Sequence, residues 1–168
     1  SPIMPTNYRS NEKLSGGGIL FDSGCHLIAE VLWLFNKNPI SVYANFDNLK
    51  IEMRVVLVLE FQNSIYAKIS ITGDSEFKSR RIESSFWGSK QLVRLTGKPY
   101  KIHIYGQKKN NKFSFSRLNK TITPIEEFAD YILGSKKAPS FTLKDSISVV
   151  TIIEYAYKSA ITGKKQTI

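Results

Sequence analysis

SGGGILFDSGCHLIAEVLWLF, residues 15–35, is the stretch on which the reading of this 168-residue chain turns. Leu20, Leu27, Ile28, Val31, Leu32 and Phe35 recur at a helical period and predict a helix with one buried stripe. Ser15 is placed to cap its start, and Gly16, Gly17 and Gly18 allow another backbone or a ligand to come close. Asp22 and His26 are four residues apart, so on a helix they share a face, which Ala29 and Trp33 continue. A carboxylate one turn from an imidazole orients the ring and favours its charged form, and histidine titrates near neutral pH. Such a pair can handle protons, although the same spacing also describes a plain surface or structural pair. Cys25 beside His26 invites a nucleophile reading, but helical neighbours diverge by about 100°, so Cys25 is expected to pack inward. A metal site would need further ligands, and only His103 and scattered carboxylates are available, so none is expected.

The rest of the chain reads as one α+β domain. Ser1–Leu14 is polar and aperiodic, a lead-in loop, and Asn36–Pro39 carries the turn chemistry that ends the first helix. Ile40, Val42, Ala44 and Phe46 alternate with polar residues. Ile51, Met53, Val55, Leu57, Leu59 and Phe61 form one face of the next strand, with Glu52, Arg54 and Glu60 on the other. Gln62-Asn63 turns the chain into a strand carrying Ile65, Ala67, Ile69 and Ile71. Further strands are predicted at 80–87, 91–95, 100–105 and 112–116, where His103 is expected at the surface. Short connections favour an antiparallel meander. Thr123-Pro124-Ile125-Glu126 and Thr142 supply caps for two closing helices, which Gly134 and Gly163 stop. The stripe of the last helix is read as Ile147, Val150, Ile153, Tyr157 and Ala160. The expected fold is an open, mostly antiparallel sheet with helices packed on one face. Tyr43, Val56, Val58, Tyr66, Phe86 and Trp87 bring more bulk than a solvated opposite face needs, which points to a partner.

Composition narrows the function classes. The longest apolar run, Val55–Leu59, is too short to span a membrane, and no signal-peptide pattern opens the chain. The lone cysteine excludes an internal disulfide and fits a reducing, cytoplasmic setting. The net charge is +10, from 24 basic and 14 acidic side chains. No nucleic-acid motif accompanies it, so a lysine-rich solvated surface is the favoured reading and no nucleic-acid partner is expected.

GGG-x-L-x-D-x-G-x-H followed by Trp33-Leu34 resembles the opening of the C-terminal domain of the glucose–fructose oxidoreductase and inositol dehydrogenase family (Gfo/Idh/MocA). FTLKDSISVVTIIEYAYKSAITGKKQTI resembles that family's closing helix, so the likeness brackets residues 15–168. It implies a domain of an NAD- or NADP-dependent dehydrogenase that transfers a hydride from a secondary alcohol of a sugar, polyol or related small molecule. His26 then matches the general acid/base and Asp22 the carboxylate that binds substrate or tunes it. Gly16, Gly17 and Gly18 match the stretch lying close to the cofactor. Tyr8 and Arg9 sit in a loop suited to reach substrate. The family commonly associates through its sheet into dimers.

The same likeness says what to miss. No G-x-G-x-x-G turn after a strand and no Glu-Lys-Pro lysine motif occurs in these residues, so the Rossmann half is expected in a separate N-terminal domain. This chain alone is expected to be inactive and to bind no dinucleotide. The family often has Asp three residues after the histidine, where this chain has Ala29, and Glu30 is rotated off that face. Ala29 is the argument for the alternative, a non-catalytic oligomerisation module of the same descent.

Overall fold

Two runs of alternating burial and two capped helices set the architecture. The computed structural model describes residues 8, 11–75, 83–96, 101–106, 110–113 and 122–168. They fall into two compact units, one drawn from Ser1–Glu76 and Ala138–Ile168, the other from Phe77–Lys137. In the first unit the helices are α1 (Glu12–Ser15), α2 (Cys25–Phe35) and α4 (Leu143–Thr162), with a π-helical turn at Leu20–Gly24 leading into α2. Its strands are β1 (Ser41–Phe46), β2 (Arg54–Phe61), β3 (Ile65–Thr72) and the short β8 (Gln166–Thr167). The sheet order is β3-β2-β1-β8, with every pairing antiparallel.

One face of this sheet is the core. Val42 and Ala44 from β1, Val55, Leu57, Leu59 and Phe61 from β2, and Ile69 from β3 meet Leu20, Ile28 and Leu32. Val149, Ile152, Ile153 and Ala156 of α4 complete it. Asn36, in the left-handed region at φ 48°, closes α2, and its N–H donates to the Leu32 carbonyl. Asn63 and Ser64 take positive φ in the turn between β2 and β3. The Thr123–Glu126 capping box expected from sequence forms, the Thr142 cap forms with Asp145 closing a second box, and Gly163 ends α4 at φ 67°. Ser159 is fully buried: its hydroxyl accepts from the Ala44 N–H at 2.9 Å and donates to the Lys164 carbonyl at 2.7 Å. β8 pairs only with Ser41 and Val42, so this hydroxyl serves the β1 edge beyond β8.

The second unit holds the antiparallel sheet β4 (Glu83–Trp87), β5 (Gln91–Thr96), β6 (Lys101–Gly106) and β7 (Asn110–Phe113), in that order, and the helix α3 (Pro124–Ile132). The strand ends expected at 80–82, 100 and 114–116 lie outside the described residues. The class is thus the expected one, antiparallel sheets plus helices, with α2 and α4 covering one face of the first sheet.

Four details differ from the sequence reading. The helix does not start at Ser15: α1 ends there, Gly16 turns left-handed at φ 73°, and helical structure resumes at Ile19. Ser15 caps nothing, and its hydroxyl oxygen is enclosed without a hydrogen-bond partner. α4 is rotated relative to the expected stripe, since Ile147 and Val150 are exposed while Val149, Ile152 and Ala156 are buried. Val149-Val150 and Ile152-Ile153 are adjacent apolar pairs, so periodicity alone left the face open. His103 on β6 is half-buried rather than at the surface. Glu52 does not share an exposed strand face with Arg54; β2 begins only at Arg54, and Glu52 is 0% exposed.

Residues 12–35 together are long and apolar enough to cross a membrane. They are not one continuous α-helix, being interrupted at Gly16–Gly18, and Leu20, Ile28 and Leu32 within them belong to the core.

Candidate active site

The Asp47 side chain starts the construction. Its Oδ1 accepts from the N–H groups of Met53 and Arg54, at 3.0 and 2.9 Å, which folds the loop ahead of β2 back on itself. Gly73 N–H donates to the Met53 carbonyl at 2.7 Å and ties the loop to the end of β3. Glu52 is thereby held inside the unit, facing the glycine run. Its Oε2 accepts from Gly18 N–H and its Oε1 from Leu20 N–H, both at 3.0 Å, while its main-chain carbonyl takes Ile19 N–H at 2.8 Å. The first amides of a helix have no partner within it, and their end carries partial positive charge. Here a buried carboxylate from another segment takes that place, the role for which Ser15 was expected.

Tyr157 of α4 completes the cluster. Its hydroxyl donates to Glu52 Oε1 at 2.9 Å and accepts, more weakly, from Gly18 N–H at 3.3 Å. Burial first, and then the adjacent Glu52 carboxylate, push this phenol well above its ordinary range. The glycines make the approach possible. A Cβ on Gly18 would overlap the main-chain nitrogen and oxygen of Glu52, and one on Gly17 would overlap the Tyr157 hydroxyl. Sequence reasoning missed Glu52 and gave Tyr157 only a place in the stripe. The one available signal was an acidic residue interrupting an apolar approach to a strand, which reads the same as a solvated position.

From this fixed start the chain runs through the π turn. Asp22 N–H donates to the Gly18 carbonyl at 3.1 Å, and Ser23 donates its hydroxyl to Asp22 Oδ2 at 3.2 Å. His26 is the second residue of α2, and both Asp22 and His26 are exposed. Cys25 is half-buried against the core, as expected, its thiol 3.8 Å from the Asp22 carbonyl oxygen. π turns insert one residue into a helix and are frequent at functional sites. A cavity of about 290 Å³ lies beside the turn, lined by Tyr8, Ser15, Gly17, Gly18, Ile19, Phe21 and Asp22. That is at the lower end of small-molecule sites, roomy enough for a compact polyol and too small for a dinucleotide. Tyr8, Gly17, Gly18 and Asp22 are therefore gathered around one space, whereas Gly16 and His26 do not line it. Arg9 lies outside the described residues.

Helix starts commonly hold phosphates, but the residues here do not fit a dinucleotide pyrophosphate. The N–H groups of Gly18, Ile19 and Leu20 are all taken by Glu52, whose negative charge would repel phosphate. Among the described residues no three His, Cys, Asp or Glu side chains are grouped to hold a metal ion.

The fold is an α+β domain of antiparallel sheets with helices, the kind found in the C-terminal domains of a family of oxidoreductases. Residues 1–109 match the GFO/IDH/MocA C-terminal domain, and the chain belongs to that family. Its fold is shared with several solved structures. Aldose-aldose oxidoreductase from Caulobacter crescentus, solved with glycerol, is 18% identical with a TM-score of 0.84, over 98% of this chain and 52% of that one. A Thermotoga maritima protein described as an oxidoreductase is 22% identical with a TM-score of 0.82, over 96% and 50%. An NAD-binding protein from Listeria innocua is 19% identical with a TM-score of 0.77, over 98% and 55%. The chain spans about half the length of these relatives. No curated protein matches it by sequence.

Proposed function

We propose that this chain is the substrate-binding and catalytic half of an NAD- or NADP-dependent oxidoreductase that oxidises a secondary alcohol of a sugar, polyol or related compound. The observation that carries the reading is Asp22 on the π turn and His26 on the helix that follows, both exposed, with Asp22 at the wall of a polyol-sized cavity, in a chain of this family. His26 takes the alcohol proton as the carbonyl forms, and gives it back in the reverse direction. Asp22 binds a substrate hydroxyl or favours the charged ring, and Tyr8, at the cavity wall, and Arg9 contact the substrate. The dinucleotide supplies the hydride acceptor when bound. Its phosphates are held by the N-terminal half, and exposed Gly16 is the part of the glycine run left for its approach. On this reading the chain alone turns nothing over, and the enzyme works in the cytoplasm as a homodimer through the uncovered sheet face.

Ala29 favours the alternative of a non-catalytic oligomerisation module, because it packs against the core where an acidic residue would support the histidine. Turnover separates the two. The full-length protein is assayed for dinucleotide reduction on a panel of aldoses, polyols and hydroxy acids. His26→Ala is expected to lower kcat by about 10²–10⁴-fold, the usual contribution of a general acid/base, with little change in melting temperature because the side chain is exposed. Asp22→Asn should fall less, since an amide still orients the ring. An unchanged kcat in His26→Ala refutes the assignment.

A further inference from the structure

We infer that Glu52 is a positioning residue for Asp22 and His26, acting from behind the turn that carries them; this rests on the proton-handling reading of that pair. A carboxylate withdrawn from water carries a large desolvation penalty. The volume it fills could be filled by an amide or an aliphatic chain. What those cannot do is accept from two amides and a phenol at once. Glu52 gathers the N–H groups of Gly18 and Leu20 on its two oxygens and Ile19 N–H on its carbonyl, so three successive amides are referred to one residue. Asp22 is the next residue but one after Leu20, hydrogen-bonded back to Gly18, and His26 follows one turn on. Their height and rotation about the helix axis are therefore set where Glu52 holds the start.

The π turn makes that hold matter. Its extra residue could be absorbed by sliding the turn towards either end, and a start fixed at 18–20 removes one of the two directions. Tyr157 fixes the carboxylate in turn, through the hydroxyl on Oε1, and so links α4 to the same register. Gly17 and Gly18 are the space this clamp needs. Glu52 does not itself line the cavity; it holds Gly18 and Ile19, which do, from behind, so its action is on geometry and not on reacting atoms.

The test is Glu52→Gln in the full-length protein, with Tyr157→Phe as the milder second variant. Gln keeps the volume but turns an N–H₂ group towards one of the donors. Below the melting temperature, kcat of Glu52→Gln is expected to fall by about 100-fold, the effect of misplacing a reacting group by about 1 Å. Dinucleotide Kd should stay at the wild-type value, because those contacts lie in the other half. Tyr157→Phe should show a smaller loss in the same direction. In this chain alone, hydrogen exchange at the Gly18 and Leu20 amides should quicken in both variants. Wild-type kcat in folded Glu52→Gln, or in Tyr157→Phe if Glu52→Gln does not fold, overturns the inference and leaves Glu52 a structural cap. Activity retained by His26→Ala instead overturns the functional reading, so the two failures are told apart.

Discussion

Replacing Tyr157 with Phe removes one oxygen atom from the clamp and little else. The ring keeps its edge-to-face contact with Phe46, with centroids 5.1 Å apart at 80°. What disappears is the donor to Glu52 Oε1 at 2.9 Å and a weak acceptor for Gly18 N–H at 3.3 Å. Gly18 N–H keeps Glu52 Oε2, so the principal loss is one hydrogen bond to a buried carboxylate. Bonds to charged groups contribute about 1.5–3 kcal/mol. For a chain of this length each kcal/mol moves the melting temperature by about 2–4 °C, so a fall of about 3–12 °C is expected. Thermal unfolding followed by circular dichroism measures it, and urea unfolding should leave the m-value unchanged if only the folded state is affected. Tyr66→Phe is the control, because that hydroxyl meets Glu60 Oε1 at 3.2 Å on an exposed ring. It should stay within about 0.5 kcal/mol of wild type. Equal effects from the two substitutions would refute the argument that the buried carboxylate depends on Tyr157.

The same phenol gives a pH dependence. Its neutral form is favoured in the fold, so its contribution is fully present below the ordinary phenol value of 10.0 and is lost as pH rises above that; Tyr157→Phe should lose less stability between neutral and strongly alkaline pH than wild type. Gly18→Ala should destabilise by about 1–3 kcal/mol or more, since the methyl meets main chain that cannot swing away. Gly134→Ala, where nothing lies within 4 Å and φ is 75°, should cost only the left-handed strain of about 1–2 kcal/mol; a Gly18→Ala protein as stable as wild type would contradict the close approach at Gly18. On the face of the first sheet turned away from α2 and α4, Tyr43 pairs with Val58, and Val56 lies beside Asn45 and Ser70. Sedimentation at micromolar concentration is expected to show a dimer, reduced to monomer by Val58→Asp; a wild-type monomer would remove that face as the interface.

The fold was legible because its signals are local and redundant. Alternation at Val55, Leu57, Leu59 and Phe61 leaves one register for β2, and Thr123 and Thr142 announce their helices with a cap and an acid three residues on. Of the residues singled out from sequence, Tyr8, Gly17, Gly18 and Asp22 line one cavity, while His26 lies outside its lining, on α2 beyond the π turn. The rotation of α4 was not legible, because paired apolar residues satisfy two helical faces equally, and only the packing of Val149, Ile152 and Ala156 selects one. Glu52 was illegible for a stronger reason: its partners are 32 to 105 residues away, and no local pattern separates a buried acid from a solvated one.

That distance changes what the glycine run means. Three glycines before a helix read as a cradle for an external anion, because bare amides and a positive helix end are what a phosphate seeks. The same features serve equally well when the anion is part of the chain. Gly17 and Gly18 admit Tyr157 and Glu52, and the amides that would have met a phosphate meet a carboxylate. An internal anion differs from a bound one in being present in every state of the protein, so the helix start stays fixed whether or not a dinucleotide has arrived. On the proposed function, a domain that presents Asp22 and His26 to a cofactor gains from that arrangement. The two side chains are then positioned before any cofactor meets them, and the glycines serve that position.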